Sequence, residues 1–142
     1  MIHGSGLTSR FISLFYAELE ESGNLAYVNG GHCPPLLVTP AGETFELKTC
    51  GPVLGPLPDA QYRRGYLTLR PGELLVLFTD GVTEALSAEG EEFGDGRLVN
   101  ALLQDASSTA EETSRRILAE VDRFTAGAPQ RDDVTLVVGK VR

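Results

Sequence analysis

The chain has 142 residues, of which 42% are hydrophobic, and a formal net charge of −8. That length predicts one domain, and the apolar content is enough to fill a core, which excludes a compositionally disordered chain. The acidity excludes a nucleic-acid backbone as partner, since phosphate binding needs clustered Lys and Arg, and is compatible with a divalent-cation site.

No run is long and apolar enough to span a bilayer, so no membrane partner is expected. The N-terminus lacks a basic stretch followed by an apolar core, the mark of a secretion signal. Cys33 and Cys50 fit neither a CxxC redox pair nor a zinc knuckle and read as reduced thiols. Together these features predict a cytoplasmic protein.

Residues 1–10 form a lead-in without periodicity. Phe11 to Leu19 reads as a strand with apolar groups on both faces, which predicts burial on both sides. Gly23 marks a turn into a return strand, Leu25 to Asn29. Leu36 to Thr39 and Thr44 to Leu47 pair as a second hairpin through Pro40-Ala41-Gly42-Glu43. The Gly- and Pro-rich stretch from Cys50 to Ala60 reads as an irregular loop. Tyr66 to Leu69 is a strand, and the turn Arg70-Pro71-Gly72-Glu73 leads into another, Leu74 to Thr79.

Helices are predicted only late. Asp95 is placed to cap one from about Gly96 to Gln104. Ser108 or Thr109 starts a second, each with a Glu three residues on that fits a capping box. Its apolar stripe is Ala110, Thr113, Ile117, Val121 and Phe124, joined by Leu118, and Gly127 and Pro129 end it. Val134 to Val141 is the last strand. Six strands, two helices and a strand predict an α+β fold with an antiparallel sheet and helices on one face. Two helices leave one sheet face uncovered, so an unusually apolar exposed face is expected, which promotes self-association, such as a homodimer, or poor solubility.

Two acidic clusters sit at strand ends: Thr79-Asp80-Gly81, with Glu84 just beyond, and Asp132-Asp133. Each by itself also reads as ordinary surface, the first as an Asp-Gly turn and the second as a solvated strand start. If the two strands are neighbours, Asp80 and Asp132 converge and share one hard cation through oxygen ligands. A third feature is Asn29-Gly30-Gly31-His32-Cys33-Pro34-Pro35. His32 is open to two kinds of reading, a proton shuttle or metal ligand on the substrate side, or a histidine that hydrogen-bonds the loop and holds it in shape. Glu91 to Leu98 reads as a connector anchored by Phe93 or as a flap over a site.

With these segments placed, the chain resembles the metal-dependent protein serine/threonine phosphatases of the PPM superfamily, and most closely the bacterial SpoIIE-like branch. The resemblance rests on the strand Phe11 to Leu19, on Tyr27 to Leu37 with its Asn-Gly-Gly-His core, and on Gly51-Pro52-Val53-Leu54-Gly55. It continues through Leu77 to Ala85, Glu92-Phe93-Gly94 with Arg97-Leu98, and Asp132-Asp133-Val134-Thr135-Leu136. It implies two packed antiparallel sheets flanked by helices, and a carboxylate cluster holding two Mn²⁺ or Mg²⁺ ions. Asp80 and Asp132 match metal-binding positions of that pattern. Asp133, the neighbour of Asp132 in the motif, is counted with them as a metal residue, and Gly81 serves the metal site through its backbone or by supporting the loop. The resemblance implies that a metal-activated water, and no protein nucleophile, attacks a phosphoserine or phosphothreonine. The implied substrate is a phosphorylated anti-sigma-factor antagonist.

The family pattern also has an earlier Asp-Gly pair and an Asp-x-Ser-Gly-His-Gly motif, neither of which occurs in residues 1–142. The chain is therefore expected to be an N-terminally truncated phosphatase domain with little activity by itself. Its rivals are a pseudophosphatase that keeps only the partner-binding surface and a subunit that completes its site with another chain.

Overall fold

The computed structural model describes residues 10–48, 50–105 and 107–142. Most of the predicted lead-in lies outside the described residues. The chain divides into two compact units. The first comprises residues up to Pro34 and Leu47–Arg70; the second comprises Pro35–Glu46 and Pro71–Arg142.

The first unit holds a three-stranded antiparallel sheet made of β1 (Leu14–Leu19), β2 (Asn24–Gly30) and β5 (Gly65–Thr68), in the order β1-β2-β5. Leu25, Leu47 and Leu69 are its buried apolar side chains. The prediction that the first strand is buried on both sides fails. Phe11, Ile12, Leu14, Tyr16 and Leu19 are all exposed, Phe11 by 66% and Leu19 by 62%. The physical reason is missing cover: the described helices all belong to the second unit, so this unit has none to pack over the faces of β1, and β-forming composition did not translate into burial. The predicted irregular loop after Cys50 is tied down by two isolated bridges, Gly30 with Gly51 and Ile12 with Leu54.

The second unit holds a four-stranded antiparallel sheet and all three helices. Its strands are β3 (Leu36–Val38), β4 (Thr44–Glu46), β6 (Leu74–Phe78) and β7 (Leu136–Lys140), in the order β4-β3-β6-β7. The register sets Phe78 opposite Leu136 and Leu74 opposite Lys140. The inward-facing residues Leu74, Val76 and Phe78 of β6 are buried while Leu75 and Leu77 are half-buried, as expected for a central strand.

The helices are α1 (Asp80–Thr83), α2 (Gly94–Leu103) and α3 (Ala110–Thr125). α1 corrects the expected count, because Asp80-Gly81 opens a single helical turn where a plain turn was predicted. α2 starts two residues earlier than expected. Its N-cap is Phe93 without a side-chain cap, and Asp95 lies within the first turn. α2 packs on α3, and α3 packs on β7. Leu98, Ala101, Leu102, Thr113, Ile117 and Val121 are buried there, each large aliphatic contributing about 1.5–3 kcal/mol. Leu118, assigned to the apolar stripe, instead lies 40% exposed on the outer side of α3. No helix among the described residues is long and apolar enough to cross a membrane.

The capping box forms as the sequence predicts. Thr109 Oγ1 accepts from the Glu112 backbone N–H at 3.2 Å, and Glu112 Oε2 accepts from the Thr109 N–H at 2.7 Å. These bonds from Thr109 hold the Glu112 carboxyl below its usual range. Thr109→Ala leaves the first turn of α3 with an orphan donor and is expected to cost about 1 kcal/mol, read as a lowered urea midpoint at unchanged slope.

Just before that cap, the Asp105 carboxylate accepts from the Ser107 hydroxyl at 2.6 Å, the Ser107 N–H at 2.9 Å and the Ser108 hydroxyl at 2.9 Å. These bonds, those from Ser107 first, lower its pKa from 3.8 to about 2. A depressed acid stabilises the fold above its unfolded value, and this stabilisation is lost as pH falls through the folded value. Thermal melting should therefore show an acid-side loss between about pH 4 and pH 2. Asp105→Asn should flatten that segment of the profile; an unchanged profile would show that the three bonds do not persist in solution.

Candidate functional site

The two acidic clusters meet in the second unit because β6 and β7 are hydrogen-bonded neighbours. Past the last register pair, Thr79 fastens the strand ends together. Its N–H donates to Thr135 O at 3.1 Å, and its hydroxyl accepts from the Thr135 N–H at 3.0 Å and donates to Asp133 O at 3.1 Å. Sequence reasoning did not single out this clasp. The signal was there in two threonines, Thr79 next to Asp80 and Thr135 two residues after Asp133.

Gly81 closes the corner. A Cβ at this position would lie 2.2 Å from Asp133 O and 2.9 Å from the Asp133 carbonyl carbon. Neither atom is the end of a flexible side chain, so the approach of α1 to the 132–134 segment requires glycine. The Gly81 requirement is thus steric and comes from across the fold.

The loop carrying Asp132 is set from both sides. Gln130 Nε2 donates to Asp132 O at 2.8 Å, and the Asp133 N–H donates to Asp132 Oδ1 at 2.7 Å. One Asp132 oxygen is thereby fixed and the carboxylate stays exposed. Asp80 is likewise exposed, at the first position of α1, while its backbone oxygen accepts from Glu84 N at 2.7 Å. Asp133 contributes its backbone carbonyl to the Thr79 clasp.

A cavity of about 310 Å³ opens beside this corner. Gly81, Glu84, Arg131 and Asp132 line it, together with Val121 and Thr125 of α3. Asp80 and Asp133 are not among its lining residues. The connector from Glu84 to Phe93 supplies further wall through Leu86 and Glu92, and a bridge between those two residues holds it. It is anchored as expected by Phe93, which is 2% exposed and packs edge-on against Phe124 at 5.5 Å.

The Asn-Gly-Gly-His segment lies in the first unit. Asn29 is fully buried; its amide donates to Leu47 O at 3.3 Å and its Oδ1 accepts from His32 N–H at 2.9 Å. The His32 ring engages its own loop, with Nδ1 at 2.9 Å from Cys33 O. Gly31, at φ +70°, supplies the left-handed backbone that this bend needs. Asn29, buried and bonded on both sides of its amide, is the loop's organiser, a part that sequence reasoning did not assign.

The donor chemistry suits a hard cation, since Asp80 at the start of α1 and Asp132 in the loop before β7 offer carboxylate oxygens. In number the donors fall short. No group of three or more His, Cys, Asp or Glu side chains positioned to hold a metal ion occurs among the described residues.

Paired antiparallel strands with acidic segments beside a short helical turn, and helices packed on the sheet, agree with the PPM-type phosphatase domain that the sequence resembles. The family model of Stage II sporulation protein E (SpoIIE) matches residues 2–142, and the chain belongs to this family. Protein IcfG of Synechocystis sp. is 34% identical over 136 residues, covering 93% of this chain and 21% of that protein. Phosphoserine phosphatase RsbU of Bacillus subtilis is 32% identical over 136 residues, covering 92% of this chain and 39% of RsbU. Among solved structures, the SiaA-PP2C domain of Pseudomonas aeruginosa superimposes with a TM-score of 0.74 at 25% identity, covering 85% of this chain and 48% of that one. The chain thus spans less than half the length of each.

Proposed function

We propose that the chain forms part of a single SpoIIE-like domain that hydrolyses phosphoserine or phosphothreonine on a regulatory protein. The family resemblance points to an anti-sigma-factor antagonist as that substrate. The observation that carries this reading is the corner itself: the Thr79 clasp and the contact of Gly81 with Asp133 O hold the two acidic clusters at one place on a rigid sheet. The similarity to RsbU, a phosphoserine phosphatase, supports the same chemistry.

In this reading Asp80 and Asp132 hold Mn²⁺ or Mg²⁺ together with donors outside the described set. Asp133 and Gly81 keep Asp132 and α1 in place, and His32 serves its loop. When bound, such ions would lower the pKa of a coordinated water toward neutral and so supply the nucleophile. The test is phosphate release from a phosphoserine peptide by the full-length protein, with Mn²⁺ and after chelation. Release that needs the metal agrees with the proposal. Release indifferent to chelation overturns the metal assignment, and no release from phosphoserine or phosphothreonine peptides overturns the phosphatase reading.

A further inference from the structure

We propose that Arg131 binds the phosphoryl group of the substrate in the cavity beside Asp132; this assignment deepens the phosphatase reading and rests on it. Arg131 lines the cavity, and it is the only cation among the described lining residues. Glu84, Glu92, Asp122 and Asp132 put four carboxylates on the same wall. Even so, the Arg131 guanidinium makes no ion pair or hydrogen bond among the described residues, and its side chain is exposed.

The contrast with its neighbours is what singles it out. Arg97 bonds Glu92 O and Phe93 O and pairs with Glu91 at 3.5 Å. Arg115 pairs with Glu111, Arg116 bonds Ala101 O and the Ser108 hydroxyl, and Arg123 pairs with Glu120. Each is committed to the protein. Arg131 is flanked by fixed backbone on one side, through the bonds of Gln130 and Asp133 to Asp132, and keeps its donors available.

A guanidinium offers a rigid fork of donors that matches two phosphate oxygens at once. A phosphate dianion entering this cavity meets the charges of Glu84, Glu92 and Asp122 beside the metal-binding Asp132, and Arg131 is the one side chain of the lining that offsets them. The carboxylates also explain why an arginine is needed. A weaker and more hydrated ammonium would be drawn to any one of them as a point charge, without the bidentate match to phosphate.

The experiment uses the full-length protein and its Arg131→Ala and Arg131→Lys variants, with thermal melts to show that each is folded. With a phosphoserine peptide, Arg131→Ala should raise KM on the order of tenfold with kcat little changed, because the contact is present in both ground and transition states. Arg131→Lys should recover only part of that loss. Inhibition by inorganic phosphate should weaken in parallel. An unchanged KM and unchanged phosphate inhibition in a folded Arg131→Ala protein would overturn the assignment while leaving the phosphatase reading intact. If no peptide is hydrolysed at all, the phosphatase reading fails, and inorganic phosphate still decides on Arg131. Phosphate that raises the melting temperature of the parent protein and not of Arg131→Ala supports a phosphate site, and equal shifts overturn it.

Discussion

Asp80→Asn and Asp132→Asn should each remove metal-dependent phosphate release while leaving the protein folded. The fold should survive because neither carboxylate charge serves the packing. Asp80 is exposed and its side chain makes no hydrogen bond among the described residues. The Oδ1 of Asp132 accepts from Asp133 N–H, and an asparagine Oδ1 still accepts that bond, more weakly. The activity should not survive, because a neutral amide oxygen is a poor substitute for a carboxylate on a hard divalent cation. A fall of about a hundredfold or more, near 2.7 kcal/mol of barrier, is expected from either change. Initial rates at saturating Mn²⁺ measure it, and circular dichroism confirms the fold. Either variant turning over at the parent rate would remove that residue from the metal site.

The second large effect concerns glycines, where one substitution has opposite signs at two positions. Gly81→Ala puts a methyl group 2.2 Å from Asp133 O. The backbone of residues 132–134 must move away from α1, and the Thr79 hydroxyl loses its 3.1 Å bond to Asp133 O. Overpacking of this kind costs about 1–3 kcal/mol. Because the segment that moves carries Asp132, catalytic rate should fall along with stability. Gly96→Ala is the control. Gly96 lies inside α2, nothing is within 4 Å of the added Cβ, and alanine there should stabilise the helix by about 0.5–1 kcal/mol. Denaturant midpoints of the two variants should move in opposite directions. A Gly81→Ala protein as stable as the parent would show that the close approach relaxes freely, and the steric account of the corner would be wrong.

Much of this molecule was legible in one dimension. Alternation and turn chemistry located the strands within a few residues, since hairpins such as Leu36–Val38 with Thr44–Glu46 are local objects. The Thr109–Glu112 cap was readable for the same reason, because both partners sit within one turn. The pattern of short segments was enough to place the chain among the PPM-type phosphatase domains, and the match to the SpoIIE family over residues 2–142 agrees.

What the sequence could not contain was anything depending on which strand lies beside which. Composition predicted Phe11 to Leu19 to be buried, and only the fold showed that the described helices all belong to the other unit and leave β1 uncovered. Periodicity put Leu118 on the apolar stripe of α3, and only the packing of that helix showed that the position faces outward. The segments carrying Asp80 and Asp132 are brought together because β6 pairs with β7, across a connection containing three helices. Gly81 looked like a turn residue, and its real constraint is a carbonyl more than fifty positions away in the chain. Local chemistry is written residue by residue, whereas burial and convergence are properties of distances that exist only once the chain has folded.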